Sequence, residues 1–211
     1  MKIITIGNQK GGVGKSTIAC NLAVQAVAGG RRTLLIDADL EASSMDFRAI
    51  RAEKENLPQF SAVAIIKDSI RHDVRSFNGF DVALIDVGGF DGKVFRSAIM
   101  AADLFLIPVL PSLYDVWSTQ ETIEILKEIQ AVQSIDARLV VNQMIPETKI
   151  AKEVSEALDN LGVKRLKTVL HHSTAYKRSI GEGVGITEFS NSDGKASEEI
   201  KSLWKEVLLS V

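Results

Sequence analysis

A short apolar run, Met1–Gly7, leads directly into Asn8-Gln9-Lys10-Gly11-Gly12-Val13-Gly14-Lys15-Ser16-Thr17 and then into the apolar stretch of a helix. Glycines at this spacing let backbone N–H groups curl around an anion without Cβ clashes. The helix that follows adds oriented donors and the positive end of its dipole. A strand must end and a helix must begin on either side of such a loop, which places the chain among α/β folds from its first residues. Within the loop, Gly11, Gly12, Val13, Gly14 and Thr17 supply backbone. Lys15 can reach β- and γ-phosphate oxygens, and the Ser16 hydroxyl can ligate Mg²⁺.

The rest of the chain keeps this rhythm. Strand candidates are Lys2–Gly7, Arg32–Asp37, Phe80–Asp86, Leu104–Val109 and Arg138–Met144, with weaker ones at Gln59–Val63 and Lys164–Thr168. Several are nearly unbroken apolar runs, such as Thr33-Leu34-Leu35-Ile36, which need cover on both faces. Helix candidates fill the gaps at Ser16–Ala28, Met45–Glu55, Ala64–Phe77, Lys93–Ala101, Tyr114–Gln133, Ile150–Leu161 and Lys195–Leu209. This order predicts a single α/β domain over residues 1–211, a mostly parallel twisted sheet with helices on both faces. Three motif-rich segments, 8–17, 37–44 and 86–92, each follow a strand end, where ligands of such sheets bind.

The strict phosphate-loop pattern G-x-x-x-x-G-K-[ST] asks for Gly at position 9, where this chain has Gln9, and a second lysine, Lys10, precedes the double glycine. The run K-G-G-V-G-K-S-T resembles the deviant phosphate loop of the ParA/MinD group of P-loop ATPases. The resemblance implies ATP and Mg²⁺ as cofactors. It also implies that Lys10 reaches across a homodimer to the partner's ATP, adding positive charge at the transferring phosphoryl group.

Asp37-Ala38-Asp39-Leu40-Glu41 ends the second strand, and the family usually reads D-x-D-P-Q here. Asp37 then suits Mg²⁺ water ligation and Asp39 orients the attacking water, unless Asp39 only caps the next helix. Leu40 and Glu41 replace the usual Pro and Gln, which bears on loop geometry and hydrolysis rate. Asp86 at the end of an apolar strand has the Walker-B arrangement for Mg²⁺. Gly88 and Gly89 leave N–H groups free to meet a γ-phosphate. Ile107 to Ser118, with Pro111 inside it, resembles the segment bordering the nucleotide base and dimer interface in small plasmid partition ATPases. By the same resemblance Asn142 contacts adenine, with a strand-end turn as the plain alternative. The likeness runs on through Tyr176–Ile180 and Ser190–Gly194, and a phosphate loop that begins at residue 8 leads to the expectation of a short partition ATPase without an N-terminal helix-turn-helix.

With a net charge of -2, composition gives no general attraction to nucleic acid, so a DNA contact needs a local patch. From Asn160 to Gly181 there is no Asp or Glu, and the stretch holds Lys164, Arg165, Lys167, Lys177 and Arg178. These are the candidates for non-specific, salt-dependent DNA contact. A second candidate is Lys67, Arg71 and Arg75, spaced along one helix face. The stripe Ile200, Leu203, Trp204, Val207, Leu208 and Val211 suits packing on the sheet. The mixed charges opposite it fit poorly with a membrane anchor. The one cysteine, Cys20, lies in an apolar helical stretch, excludes an intrachain disulfide and fits a reduced compartment. The opening apolar run is too short for a signal-peptide core.

Together these readings predict a cytoplasmic, nucleoid-associated ATPase. Its ATP-bound homodimer would hold non-specific DNA and be released when a ParB-like adaptor stimulates hydrolysis. No stable membrane association is expected. The alternatives are a dethiobiotin-synthetase-like biosynthetic enzyme, a MinD-like membrane regulator, and a nucleotide-dependent scaffold with negligible hydrolysis.

Overall fold

The computed structural model describes residues 1–89, 92–145, 150–190 and 194–211. Seven strands, β1 (Lys2–Gly7), β2 (Thr33–Ala38), β3 (Ser61–Ala64), β4 (Val82–Val87), β5 (Leu104–Val109), β6 (Asp136–Met144) and β7 (Arg165–His171), form one sheet. The sheet order is β3-β2-β4-β1-β5-β6-β7, and every pairing is parallel. The helices are α1 (Lys15–Ala28), α2 (Ser43–Ala52), α3 (Ile70–Ser76), α4 (Gly92–Ala101), α5 (Leu113–Gln130), α6 (Ile150–Asp159), α7 (Thr174–Gly181) and α8 (Gly194–Leu209).

Alternate side chains of each strand feed two separate cores. Ile3, Ile85, Phe105 and Leu139 pack with Val74, Phe95, Leu126 and Val154 from α3, α4, α5 and α6. Ile4, Ile6, Leu35 and Leu84 pack with Ile18, Phe47, Tyr176 and Trp204 from α1, α2, α7 and α8. This is why the central strands read as continuous apolar runs: each faces a helical layer on both sides. Because β1 lies between β4 and β5, the chain turns to opposite sides of the sheet around it. The crevice at the carboxyl end of β1 is therefore the switch point of the fold.

Three expectations need correcting. The helix expected at Ala64–Phe77 begins at Ile70, because Ser61–Ala64 pair with Leu34–Asp37 as a strand. Lys67 therefore precedes α3 and shares no helical stripe with Arg71 and Arg75. Those two are also engaged, Arg71 with Gln133 and Arg75 with the Ala101 carbonyl. The short helix α7 was not foreseen.

The late basic stretch is also not one patch. Arg165 and Lys167 lie at the start of β7, while Lys177 and Arg178 lie on α7, past its far end. Seven residues of strand separate the two groups by roughly 20 Å. Acidic residues of α8 also cover this sheet edge. Glu206 accepts the N–H groups of Lys167 (2.8 Å) and Thr168 (3.0 Å), and Glu199 accepts that of His171 (2.9 Å). Arg165 pairs with Asp159 at 3.6 Å.

The expected stripe of α8 is in the core, with Ile200, Leu203, Trp204 and Val207 buried. Cys20 is buried too, and burial pushes its thiol pKa up, out of the reactive range. Among the described residues, no helix is long and apolar enough to cross a membrane.

One long-range tie joins α2 to the turn after α7. The side chain of Arg51 is fully buried and grips Glu188 with both terminal nitrogens, at 2.7 and 2.8 Å. It also donates to the carbonyls of Gly183 (3.3 Å) and Pro58 (2.8 Å). A Cβ on Gly183 would lie 2.6 Å from the Arg51 backbone nitrogen, so this turn and α2 pack main chain against main chain.

Candidate nucleotide site

The loop between β1 and α1 takes the shape its glycines allow. Gly12 (φ 75) and Gly14 (φ 92) adopt left-handed conformations that a side chain would strain. Gly14 is the N-cap of α1, and no side chain caps the helix. The unpaired N–H groups of its first turn are thus left for an anion. A cleft of about 770 Å³ opens here, lined by Gly11, Gly12, Gly14, Lys15, Ser16, Thr17, Asp39, Glu41, Gly89 and Lys177, among others. That is room enough for a nucleotide-sized ligand.

Lys15 is nearly buried, and its Nζ lies 3.3 Å from the Lys10 carbonyl oxygen, folded back over the loop. Lys10 does not line this cleft. Its Nζ sits 4.4 Å above the Tyr114 ring and 3.9 Å from Asp115 Oδ1, at the start of α5. The two lysines of the loop therefore point to different places.

On one flank the loop is braced by α5. Asn8, fully buried, donates to the Pro108 carbonyl (2.9 Å) and to Thr119 Oγ1 (3.1 Å). Its Oδ1 accepts from the Lys10 N–H and from Thr122 Oγ1, both at 3.0 Å. Thr122 Oγ1 in turn accepts the Gln9 N–H at 2.9 Å. Sequence reading passed over Asn8, Thr119 and Thr122. The available signal was an Asn directly after an apolar strand and two threonines one helical turn apart on an otherwise apolar face.

On the other flank, strand register sets two carboxylates side by side, because Asp37 of β2 and Asp86 of β4 are direct partners. Asp37 was expected near Mg²⁺, but its oxygens accept backbone N–H groups, from Asp39 at 3.1 Å and Met45 at 2.9 Å. It is Asp37, not Asp39, that serves the first turn of α2, whose N-cap position is Ala42. Burial raises the Asp37 pKa, and these backbone donors work against the rise.

Asp86 is fully buried, and burial pushes its pKa up to about 6 against the opposing effect of hydrogen bonds from Ser16 and Ser44. Ser44 Oγ donates to Asp86 Oδ2 at 2.7 Å, while Asp86 Oδ1 has no hydrogen-bond partner among the described residues. A fully buried carboxylate oxygen without a donor fits a divalent cation or its water. Asp86 and Ser16 are the residues that would hold Mg²⁺.

The switch segments touch each other and the loop. A Cβ on Gly88 would fall 2.4 Å from Asp39 Oδ2, and one on Gly89 would fall 2.4 Å from the Gln9 carbonyl oxygen. Side chains at either position would force these segments apart. Asp39 Oδ1 accepts the Glu41 N–H at 3.1 Å, and both carboxylates line the cleft. Leu40, where the family usually has Pro, is 65% exposed.

A smaller cavity shares Gly14, Thr17, Gln143 and Lys177 with the cleft and adds Asn142, Leu170, His172 and Tyr176. Asn142 Nδ2 donates to the Val13 carbonyl at 2.8 Å, and its Oδ1 accepts the Gln143 N–H at 2.9 Å. The amide thus clamps the phosphate loop at the edge of the pocket. Pro111 lines neither cavity, and its place is the turn before the Ser112 cap of α5. Lys177, read from the sequence as a DNA contact, walls both cavities. Gly194 begins α8, while residues 191–193 of the Ser190–Gly194 stretch lie outside the described residues.

Residues 4–186 match the CobQ/CobB/MinD/ParA nucleotide binding domain. Over 210 residues the chain is 26% identical to the maintenance of carboxysome distribution protein A of Halothiobacillus neapolitanus, covering 97% of this chain and 95% of that one. Over 209 residues it is 25% identical to protein ParA of Rhizobium radiobacter, covering 96% and 92%. In structure it is similar to a putative plasmid partition protein of Borrelia burgdorferi bound to AMPPNP. The TM-score there is 0.81 at 18% identity, over 100% of this chain and 99% of that one.

Proposed function

Because this chain belongs to the CobQ/CobB/MinD/ParA nucleotide-binding family, we propose that it is an ATPase that forms an ATP-sandwich homodimer and positions a large cargo over DNA. The observation that carries this reading is the placement of Lys10. It belongs to the phosphate loop yet lies outside its own cleft, against Tyr114 and Asp115. A lysine held there is suited to a second subunit's ATP, where its charge offsets that of the transferring phosphoryl group. Tyr114 and Trp117, three residues apart on α5, are 66% and 65% exposed. They add apolar surface of the kind a partner subunit covers.

Lys15 and the first-turn N–H groups of α1 bind the phosphates. Mg²⁺, when bound, draws charge from the phosphate oxygens. Ser16 and Asp86 hold it, and Asp39 orients the attacking water. Gly88 sits against Asp39, so loss of the γ-phosphate is felt by both switch segments together.

Of the two basic groups, Lys177 and Arg178 stand on the helix that walls the cleft and are the ones that nucleotide can govern. Lys164, Arg165 and Lys167 lie at the far end of β7. A ParB-like adaptor on the cargo stimulates hydrolysis and release. A plasmid, a chromosome or a protein assembly all fit as cargo, and the protein acts in the cytoplasm, on the nucleoid when ATP-bound. The apolar stripe of α8 lies in the core and does not supply the free face a MinD-like membrane anchor needs.

The test is binding to random-sequence duplex DNA at fixed salt without nucleotide, with ADP and with Mg²⁺-ATP, for the native chain and Lys10→Ala. We expect ATP to tighten binding about tenfold or more, and Lys10→Ala to abolish the gain. Equal, negligible binding in every state would overturn the proposal.

A further inference from the structure

The buried link between α2 and the Walker-B strand points to a residue that the phosphate-loop motif does not contain. Ser44 is fully buried at the start of α2. It stands between both register-paired carboxylates: the N–H of the next residue, Met45, donates to Asp37 at 2.9 Å, and Ser44 Oγ donates to Asp86 Oδ2 at 2.7 Å. The two bonds do different things. The N–H bond belongs to the backbone and survives any side-chain change. The Oγ bond depends on the serine hydroxyl alone.

A carboxylate at the end of a strand can turn about its last torsion, which is broad and roughly two-fold. A donor on one oxygen removes that freedom and fixes where the other oxygen points. In this structure the fixed oxygen is Oδ2, and Oδ1 has no hydrogen-bond partner among the described residues. Ser16 also helps to favour the charged form of Asp86. Ser16 is, however, the hydroxyl that the metal would claim, which leaves Ser44 to hold the carboxylate when the site is loaded. Cys20, with its Sγ 3.5 Å from Ser44 Oγ, is too weak a partner to compete.

We infer that Ser44 is a positioning residue for the divalent cation: its hydroxyl holds Asp86 so that Oδ1 faces the ion or its water. This rests on the reading of the cleft as a Mg²⁺-nucleotide site and assigns one more residue to it. It also makes α2 a responsive element, because any shift of the 39–42 loop moves Ser44 against Asp86.

Removing a group that orients a metal ligand typically weakens metal affinity about 10- to 100-fold. The experiment is a titration of a fluorescent ATP analogue, first in EDTA and then with increasing Mg²⁺, on the native chain and Ser44→Ala. Thermal melting is recorded in parallel. We expect Ser44→Ala to keep the native affinity in EDTA and a native-like melting point, and to need about 10-fold or more Mg²⁺ for half-saturation. An unchanged Mg²⁺ midpoint overturns the role of Ser44 alone. So does an equal loss of affinity with and without Mg²⁺, which would make Ser44 a general support of the loop. If the native chain shows no Mg²⁺-dependent binding, the reading of the cleft fails, and the role of Ser44 with it.

Discussion

Asn8, Thr119 and Thr122 stand on one side of the phosphate loop, and Asp37, Ser44 and Asp86 stand on the other. The first group is neutral. Asn8 donates twice and accepts twice, which exhausts the hydrogen-bonding capacity of an amide. The second group is acidic, and one buried oxygen of Asp86 lacks a donor among the described residues. A saturated neutral network gains nothing from a ligand and holds its shape with or without one. An unsaturated acidic one keeps a buried oxygen that a cation or its water would satisfy. The loop is thus fixed to α5 and sensitive toward α2.

Breaking the neutral side should have the largest effect. Asn8→Ala leaves the Pro108 carbonyl, the Lys10 N–H and two threonine hydroxyls with a missing partner. We expect a loss of about 3 kcal/mol in chemical denaturation, the same with and without Mg²⁺-nucleotide. A loss that Mg²⁺-nucleotide largely repairs would show that this side, too, answers to the ligand.

The acidic side should reveal itself through pH. Asp86 has its pKa raised from 3.8 to about 6 in the folded chain, so the folded state binds the extra proton between those values. The stability this contributes is fully present below pH 3.8 and is lost as pH rises through about 6. Measured in EDTA, the stability of the native chain relative to Asp86→Asn should improve by on the order of 2 kcal/mol between pH 7 and pH 4. A flat difference would remove the contrast between the two flanks. The smallest effect is expected for Thr122→Val, which deletes one neutral hydroxyl shared by Asn8 and Gln9. A loss of about 1 kcal/mol, independent of pH over the same range, would sharpen the comparison.

The form of the loop was legible because its parts are contiguous: the glycines, Lys10, Lys15 and Ser16 lie within a few residues of one another. The parallel sheet was legible because strands covered on both faces become continuous apolar runs. The bracing was not. Thr122 reaches Asn8 across 114 residues, and Ser44 reaches Asp86 across 42. Both contacts depend on which strands are neighbours and in what register, which local patterns do not encode. Contiguity also misled. The basic run from Lys164 to Arg178 looks like one surface in sequence, yet a strand carries its two halves to opposite ends of the sheet. Helix α7, eight residues long, is too short for its periodicity to stand out.

The grip of Arg51 on Glu188 has a consequence for how the chain is made. The two residues lie 137 positions apart, so the ribosome delivers the guanidinium long before the carboxylate that neutralises it. Until Gly183 and Glu188 emerge, α2 cannot bury Arg51 without leaving a charge unpaired, at a cost of several kcal/mol. Ser44, on the same helix, must wait with it. The phosphate loop is synthesised well before Glu188, so its acidic flank closes only after the turn that follows α7 has left the ribosome. A nascent chain therefore carries the phosphate-loop sequence well before it can set Ser44 against Asp86.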